Sequence, residues 1–181
     1  MNTESWATPW EVNAKKVSDE YIAGFMDGDG SIVASVEKRP ERKRFPYRIR
    51  LKLNFTQHER HKNIMLLLQV ALGNVGTIRY IGTHNISELV IQRREDVKKV
   101  LLRLLPHLIL KQRQARVALA MIAIFDRNIV NVRSSLSDKD FKNIFAMARE
   151  LRNLNSGAGG KKSYEHINPV TTSHLFYKDA G

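Results

Sequence analysis

Between Tyr47 and Gln57 the stretch "YRIRLKLNFTQ" alternates without a break. Tyr47, Ile49, Leu51, Leu53 and Phe55 are apolar; Arg48, Arg50, Lys52, Asn54 and Thr56, interleaved with them, are polar. A period of two belongs to a β-strand with one face in a core and the other outside it. The fold must therefore contain a sheet with one covered face and one open face. The open face differs from an ordinary solvated one. It is long, cationic and rich in hydrogen-bond donors, with no Asp or Glu mixed in. A nucleic acid is the partner that suits it.

The whole chain leans the same way. Thirty Lys and Arg against 18 Asp and Glu give a net charge of +12. Residues 38–52, "KRPERKRFPYRIRLK", hold eight basic side chains and one acidic one. A membrane surface would call for a basic amphipathic helix instead, and no apolar run approaches the roughly 20 residues of a membrane span. At 181 residues and 43% hydrophobic, the chain suits one compact domain with a real core. The absence of cysteine excludes disulfides and cysteine-ligated zinc, and fits a reducing compartment. The first residues, "MNTESWATPWEVNAKK", lack the apolar centre of a signal peptide and carry acids that an imported precursor avoids. The protein is thus expected to act where it is made.

Other elements follow from local chemistry. Ser18 is a helix N-cap, with Asp19 and Glu20 in the first turn where acids favour the helix dipole. The helix runs through "YIAGFMD" towards Gly28 and Gly30, and "SIVASVEK" reads as a strand. "HERHKNIMLLLQVALG" reads as a helix burying Ile64, Leu67, Leu68 and Ala71, ended by Gly73. "VGTIRYIG" and "NISELVIQR" form a second hairpin. "EDVKKVLLRLL" is a helix stopped by Pro106. "KQRQARVALAMIAIF" is an amphipathic helix burying Ala115, Leu119, Ile122 and Phe125. Ser137 caps a last helix, with Asp140 in capping-box position. Paired hairpins imply an antiparallel sheet with helices on one face, an α+β domain. The expected organisation is an extension over 1–17, a domain over 18–155 and a tail over 156–181.

The helix-to-strand junction "DGDGS" has three readings. A calcium loop needs Gly at its sixth position and Glu at its twelfth; counted from Asp27 these are Ile32 and Lys38, so it fails. A plain turn welcomes Asp and Gly. The third reading starts from Ala23, Gly24 and Gly28, small residues that let two helix backbones approach closely. Gly costs up to about 1 kcal/mol inside a helix, so a packing reason is needed. Two such helices side by side would bring two Asp29 carboxylates to two negative helix ends, with nothing nearby in the sequence to neutralise them. An oxygen-ligated divalent cation, Mg²⁺ above all, would do so, at a site suited to phosphodiester chemistry.

"YIAGFMDGDGSI" closely resembles the signature of the LAGLIDADG homing endonucleases, and the helix–hairpin–helix–hairpin order extends the likeness over roughly residues 18–155. One copy of the motif is found. "VALAMIAIFD" lacks its glycines, so the chain resembles the single-motif branch, whose members are homodimers. The resemblance implies a curved four-stranded sheet in αββαββα order. It implies a motif-helix interface drawing on Ile22, Ala23, Gly24, Met26 and Asp27. Asp29 is then the metal ligand and essential catalytic residue, joined by the Gly28 carbonyl, with Mg²⁺ or Mn²⁺ as the cofactor; Asp27 supports the helix end. Gln57 orients the active-site water, since an amide is no base. Lys111, in "LILKQRQA", stabilises developing charge or simply binds phosphate. His61 stands where the family often has arginine.

The resemblance also places the sheet on the major groove of double-stranded DNA. Arg48, Arg50, Lys52, Asn54 and Thr56 face bases and phosphates, and Arg42, Lys43 and Arg44 in the hairpin loop reach the outer site. Thr77, Arg79, Ile81, Glu88 and Val90 complete the surface. Eleven strand residues at about 3.3 Å each span roughly ten base pairs, so a dimer covers about 20. The implied activity is metal-dependent hydrolysis of one phosphodiester per strand, leaving short 3′ overhangs, by a protein encoded in an intron of an organelle-type genome (mitochondrion or chloroplast). An intron RNA maturase and a catalytically silent DNA-binding regulator of the same fold are the alternatives.

Overall fold

In the computed structural model the described residues are 17–41, 47–128 and 136–155. Residues 1–16 of the expected extension, the loop residues Arg42, Lys43 and Arg44, and the expected tail lie outside them. The elements are α1 (Asp19–Asp29), β1 (Gly30–Lys38), β2 (Tyr47–His58), α2 (Asn63–Ala71), β3 (Thr77–Ile81), β4 (Ile86–Ile91), α3 (Arg94–Leu104), α4 (Gln112–Arg127) and α5 (Asp138–Leu154), with 3₁₀ turns at Glu59–His61 and Gly82–His84. The strands make one antiparallel sheet in the order β1-β2-β4-β3, the α+β arrangement expected. The described residues fall into two compact units, one within Met1–Ile32 and Lys52–Arg116, the other within Val33–Leu51 and Val117–Gly181.

The first unit holds α1. Ser18 caps it as expected, its hydroxyl accepting the Tyr21 N–H at 3.2 Å. The helix passes into β1 without a loop. Gly30 is both its C-cap and the first strand residue, and its N–H donates to the Met26 carbonyl. A Cβ at Gly30 would lie 2.5 Å from Met26 Sδ and 2.7 Å from the Met26 carbonyl oxygen, so only glycine fits. Ile22 and Met26 of α1 are fully buried, as are Leu53 and Phe55 of β2, and Phe25 tilts against Phe55 with centroids 6.2 Å apart. Arg103 of α3 reaches both Asp19 Oδ1 (2.6 Å) and the Ala71 carbonyl (2.7 Å), joining the start of α1 to the end of α2.

Helix α2 starts later than the sequence suggests, because Glu59–His61 winds as a 3₁₀ turn first. Its buried side chains are Met65 and Leu68, with Leu72 beyond the helix, while Ile64, Leu67 and Ala71 are only half-buried. Apolar residues nearly all round the helix left its rotation undetermined by sequence. The stop at Gly73 is as expected. Gly73 has φ +87, its N–H reaches Val70, and the Asn74 N–H reaches Gln69, the paired bonds of a Schellman cap.

In the second unit α5 buries Phe141, Ile144, Phe145, Ala148 and Leu151 at helical spacing. Its cap is as expected, with Ser137 Oγ accepting the Asp140 N–H at 3.0 Å. The Asp140 carboxylate faces Arg127 and Asn128. On α4, Ala115 and Ile122 are buried as expected, but Leu119 and Phe125 are half-buried and Ala118 and Met121 take their places in the stripe.

Candidate active site and nucleic-acid face

Asp29 is the last residue of α1 and is exposed. Gln57, near the end of β2, reaches it: Gln57 Nε2 donates to Asp29 Oδ2 at 3.3 Å. The sense of the amide is fixed from the other side, where Gln57 Oε1 accepts the His58 N–H at 2.8 Å. The register explains the direction. Gln57 pairs with Ser87, whereas Thr56 pairs with Glu88 on the opposite face. Gln57 thus points the same way as Phe55, off the set that alternates outward.

Lys111 arrives from the segment before α4. Its Nζ donates to the Asp27 carbonyl, in the last turn of α1. Its backbone N–H donates to Asp27 Oδ1 at 2.9 Å, and the N–H groups of Ile109 and Leu110 donate to Oδ2 at 2.7 and 3.1 Å. Asp27 therefore holds three consecutive backbone donors. Burial pushes its carboxyl up, but those donors and the Lys111 charge outweigh it, leaving the group below its ordinary value. Asp27, expected to support its own helix end, instead holds the neighbouring 109–111 segment with its carboxylate. The sequence argument that nothing nearby neutralises the helix end needs correcting. Lys111 lies on a terminal carbonyl of α1, where a cation offsets the negative dipole, and 84 positions of separation hid it. His61 is exposed at the end of the 3₁₀ turn and, among the described residues, has no hydrogen bond to Asp29, Gln57 or Lys111.

The interface set needs a second correction. Ile22, Ala23 and Met26 are 0% exposed in the chain's own core, so they have no surface left for a partner. The open side of α1 is Tyr21, Gly24 and Gly28, flanked by half-buried Phe25 and Asp27. A Cβ at Gly24 or Gly28 would meet nothing within 4 Å. Unlike Gly30, neither glycine is required by its own chain.

On the outward face of the first unit, Asn54, Val90 and Thr77 form one cross-strand row, and Thr56, Glu88 and Arg79 the next. Ile81 pairs with Ile86. The expected parity of the second hairpin is therefore the observed one. Val90, however, is 3% exposed. With so little of it exposed, it offers no contact surface. Arg79 is held by Glu88 through Nε at 2.8 Å and Nη2 at 2.7 Å. In the second unit Arg50 lies 3.5 Å from Glu37, with Arg48 exposed. Among the described residues, Arg50 Nε, although ion-paired with Glu37, and Asn54 Oδ1 are buried without a hydrogen bond; for the Asn54 oxygen, which has no charge partner either, that is a costly state. The half-buried Lys52 continues the outward set.

Among the described residues no group of three or more His, Asp or Glu side chains is placed to hold a metal ion. The donors present are nevertheless the right kind for Mg²⁺ or Mn²⁺. Asp29 and the Gly28 carbonyl are hard oxygens, exposed at the negative end of a helix. One chain supplies too few of them, so such an ion fits only with oxygens from elsewhere. No helix among the described residues is long and apolar enough to cross a membrane.

The chain resembles known proteins in sequence and in fold. The sequence is 33% identical to the DNA endonuclease I-CreI of Chlamydomonas reinhardtii over 102 residues, 56% of this chain and 60% of that protein. It is 27% identical to the probable intron-encoded endonuclease 3 of Neurospora crassa over 148 residues, 82% of this chain and 27% of that one. The aligned stretch thus spans less than two thirds of either relative. The fold superposes on the crystal structure of I-CvuI with a TM-score of 0.74 at 25% identity, covering 91% of this chain and 96% of that one. That homing endonuclease was crystallised on a DNA target in the presence of Mg. The family profile described as LAGLIDADG endonuclease matches residues 22–116, the span that carries Asp29, Gln57 and Lys111. With more than half of its length inside that profile, the chain belongs to the LAGLIDADG endonuclease family.

Proposed function

We propose that the protein is a site-specific homing endonuclease that binds about 20 base pairs of pseudo-palindromic double-stranded DNA as a homodimer and hydrolyses one phosphodiester on each strand, leaving short 3′ overhangs. The observation that carries the reading is the meeting of Asp29, Gln57 and Lys111 at one end of a helix whose Gly24 and Gly28 face open space. Two copies packed through that face would set two such ends side by side. Asp29 and the Gly28 carbonyl would hold the divalent cation, which supplies charge neutralisation at the phosphate and acidifies water. Gln57, fixed by His58 and Asp29, keeps its second amide hydrogen for the attacking water and so orients it. Lys111 adds positive charge where the transition state gains negative charge. His61 joins only by reaching the phosphate through solvent.

The outward sheet residues, from Arg48 to Thr56 with Thr77, Arg79 and Ile81, would read the major groove. Arg79, already forked onto Glu88, would present its remaining donors in a fixed direction. Encoding within an intron accords with the Neurospora crassa relative, whose name calls it a probable intron-encoded endonuclease; an organelle genome as its seat is part of the proposal. The intact trio weighs against a silent regulator of the same fold. The test is a cleavage screen of a randomised palindromic duplex library with Mg²⁺ and with chelator. Cutting at one sequence class only with Mg²⁺ supports the reading. A maturase alone would leave every duplex intact.

A further inference from the structure

Gln57 stands near a strand end and is half-buried, so fixing its long amide side chain in one rotamer costs entropy. A second layer of bonds surrounds it. Ser87 of β4 is its direct cross-strand partner, on the same face of the sheet. Ser87 is 3% exposed, and its hydroxyl donates to Glu59 Oε2. Glu59 follows β2 by one residue. Its carboxylate also takes Lys62 Nζ at 3.1 Å, and its backbone N–H donates to the Asn85 carbonyl at 2.8 Å. The Ser87 hydroxyl is the main reason that the Glu59 carboxyl lies below its ordinary value. One residue thus holds the exit of β2 by two bonds, one from its side chain to the β4 residue facing Gln57 and one from its backbone to Asn85, just before β4. Nothing in the strand pattern asks for a buried serine opposite the amide.

We propose that Glu59 and Ser87 are positioning residues for the nuclease reaction, holding the end of β2 so that Gln57 keeps its amide against Asp29. The catalytic part of this inference rests on the function proposed above; the conformational part does not. The test uses the full chain labelled with ¹⁵N, with the Gln57 side-chain amide resonance assigned by its loss in Gln57→Glu. In Glu59→Ala and Ser87→Ala that amide should lose order, read from its relaxation, while Glu59→Gln, which keeps an acceptor oxygen, should restore it. On the duplex recovered from the library, single-turnover cutting of bound DNA should fall by roughly 10- to 100-fold in the alanine variants, with affinity in Ca²⁺ unchanged. Ser87→Ala removes a single oxygen and serves if Glu59→Ala does not fold. An unaltered Gln57 amide in a folded variant overturns the proposal, as does a loss of cutting that merely follows a loss of binding. Should the wild type cut no duplex at all, the nuclease reading fails, and the amide measurement still decides whether Glu59 and Ser87 position Gln57.

Discussion

Asp29 and Asp27 stand two positions apart on one helix and do different work. Asp29 is exposed and accepts one amide hydrogen, from Gln57, which leaves room for the proposed cation. Asp27 has both oxygens occupied by the backbone of 109–111. Asp29→Asn should therefore abolish cutting while leaving affinity for the selected duplex intact. Gel-shift and cleavage assays on one preparation check both halves. Asp27→Asn should act on stability. The folded-state value of the Asp27 carboxyl lies below its ordinary one, so its contribution is present above the ordinary value and lost as pH falls through the folded one. Urea denaturation should show wild type more stable than Asp27→Asn at pH 7, with the gap closing below about pH 4.

At the scale of elements, α1 separates two uses of glycine. Gly30 is enclosed by Met26, and Gly30→Ala should destabilise the fold by about 1–3 kcal/mol, the usual effect of overpacking, read as a lowered melting temperature. Gly24 and Gly28 face open space. In one chain Gly24→Ala should be neutral or stabilising, by up to about 1 kcal/mol from helix propensity. If the same face is a seam between copies, a leucine at Gly28 should abolish dimerisation and cutting together while the protein stays folded. Sedimentation and circular dichroism of Gly28→Leu separate those outcomes. Ile109 and Leu110 sharpen the point. They are 84% and 72% exposed, and the three bonds to Asp27 hold them in place beside that helix. Two large aliphatic side chains displayed on a fixed segment are what an interface edge needs.

For the whole molecule, charge makes the prediction. Two copies would carry twice the +12 of one chain. Affinity for duplex should then fall steeply with salt, with log Kd against log salt rising by about 0.9 for each phosphate neutralised. Titrations from low to physiological salt check this, and a flat line would mean that the cationic face is not the DNA surface. The ion pairs Arg79–Glu88, in one unit, and Arg50–Glu37, in the other, each already engage an arginine. The slope should therefore be smaller than a count of arginines and lysines suggests.

Local pattern was enough to read most of the secondary structure. The alternation of Tyr47–Gln57, the Ser18 and Ser137 caps and the Gly73 stop all depend on residues within a few positions of each other, and each is observed. The motif and the "FTQ" and "LILKQRQA" segments singled out Asp29, Gln57 and Lys111, and Gln57 is found on Asp29 and Lys111 on the Asp27 carbonyl. The sequence could not tell which apolar side chains face inward when a helix is apolar nearly all round. Hence Met65 and Leu72 displaced Ile64 and Ala71, and Ile22, Ala23 and Met26 went to the chain's own core rather than to a seam. Nor could it show that Asp27 holds 109–111, that Lys111 lies on the end of α1, or that Glu59 reaches Ser87. Those bonds join groups 28 to 84 residues apart. Their partners are chosen by packing, and packing exists only once the chain has closed on itself.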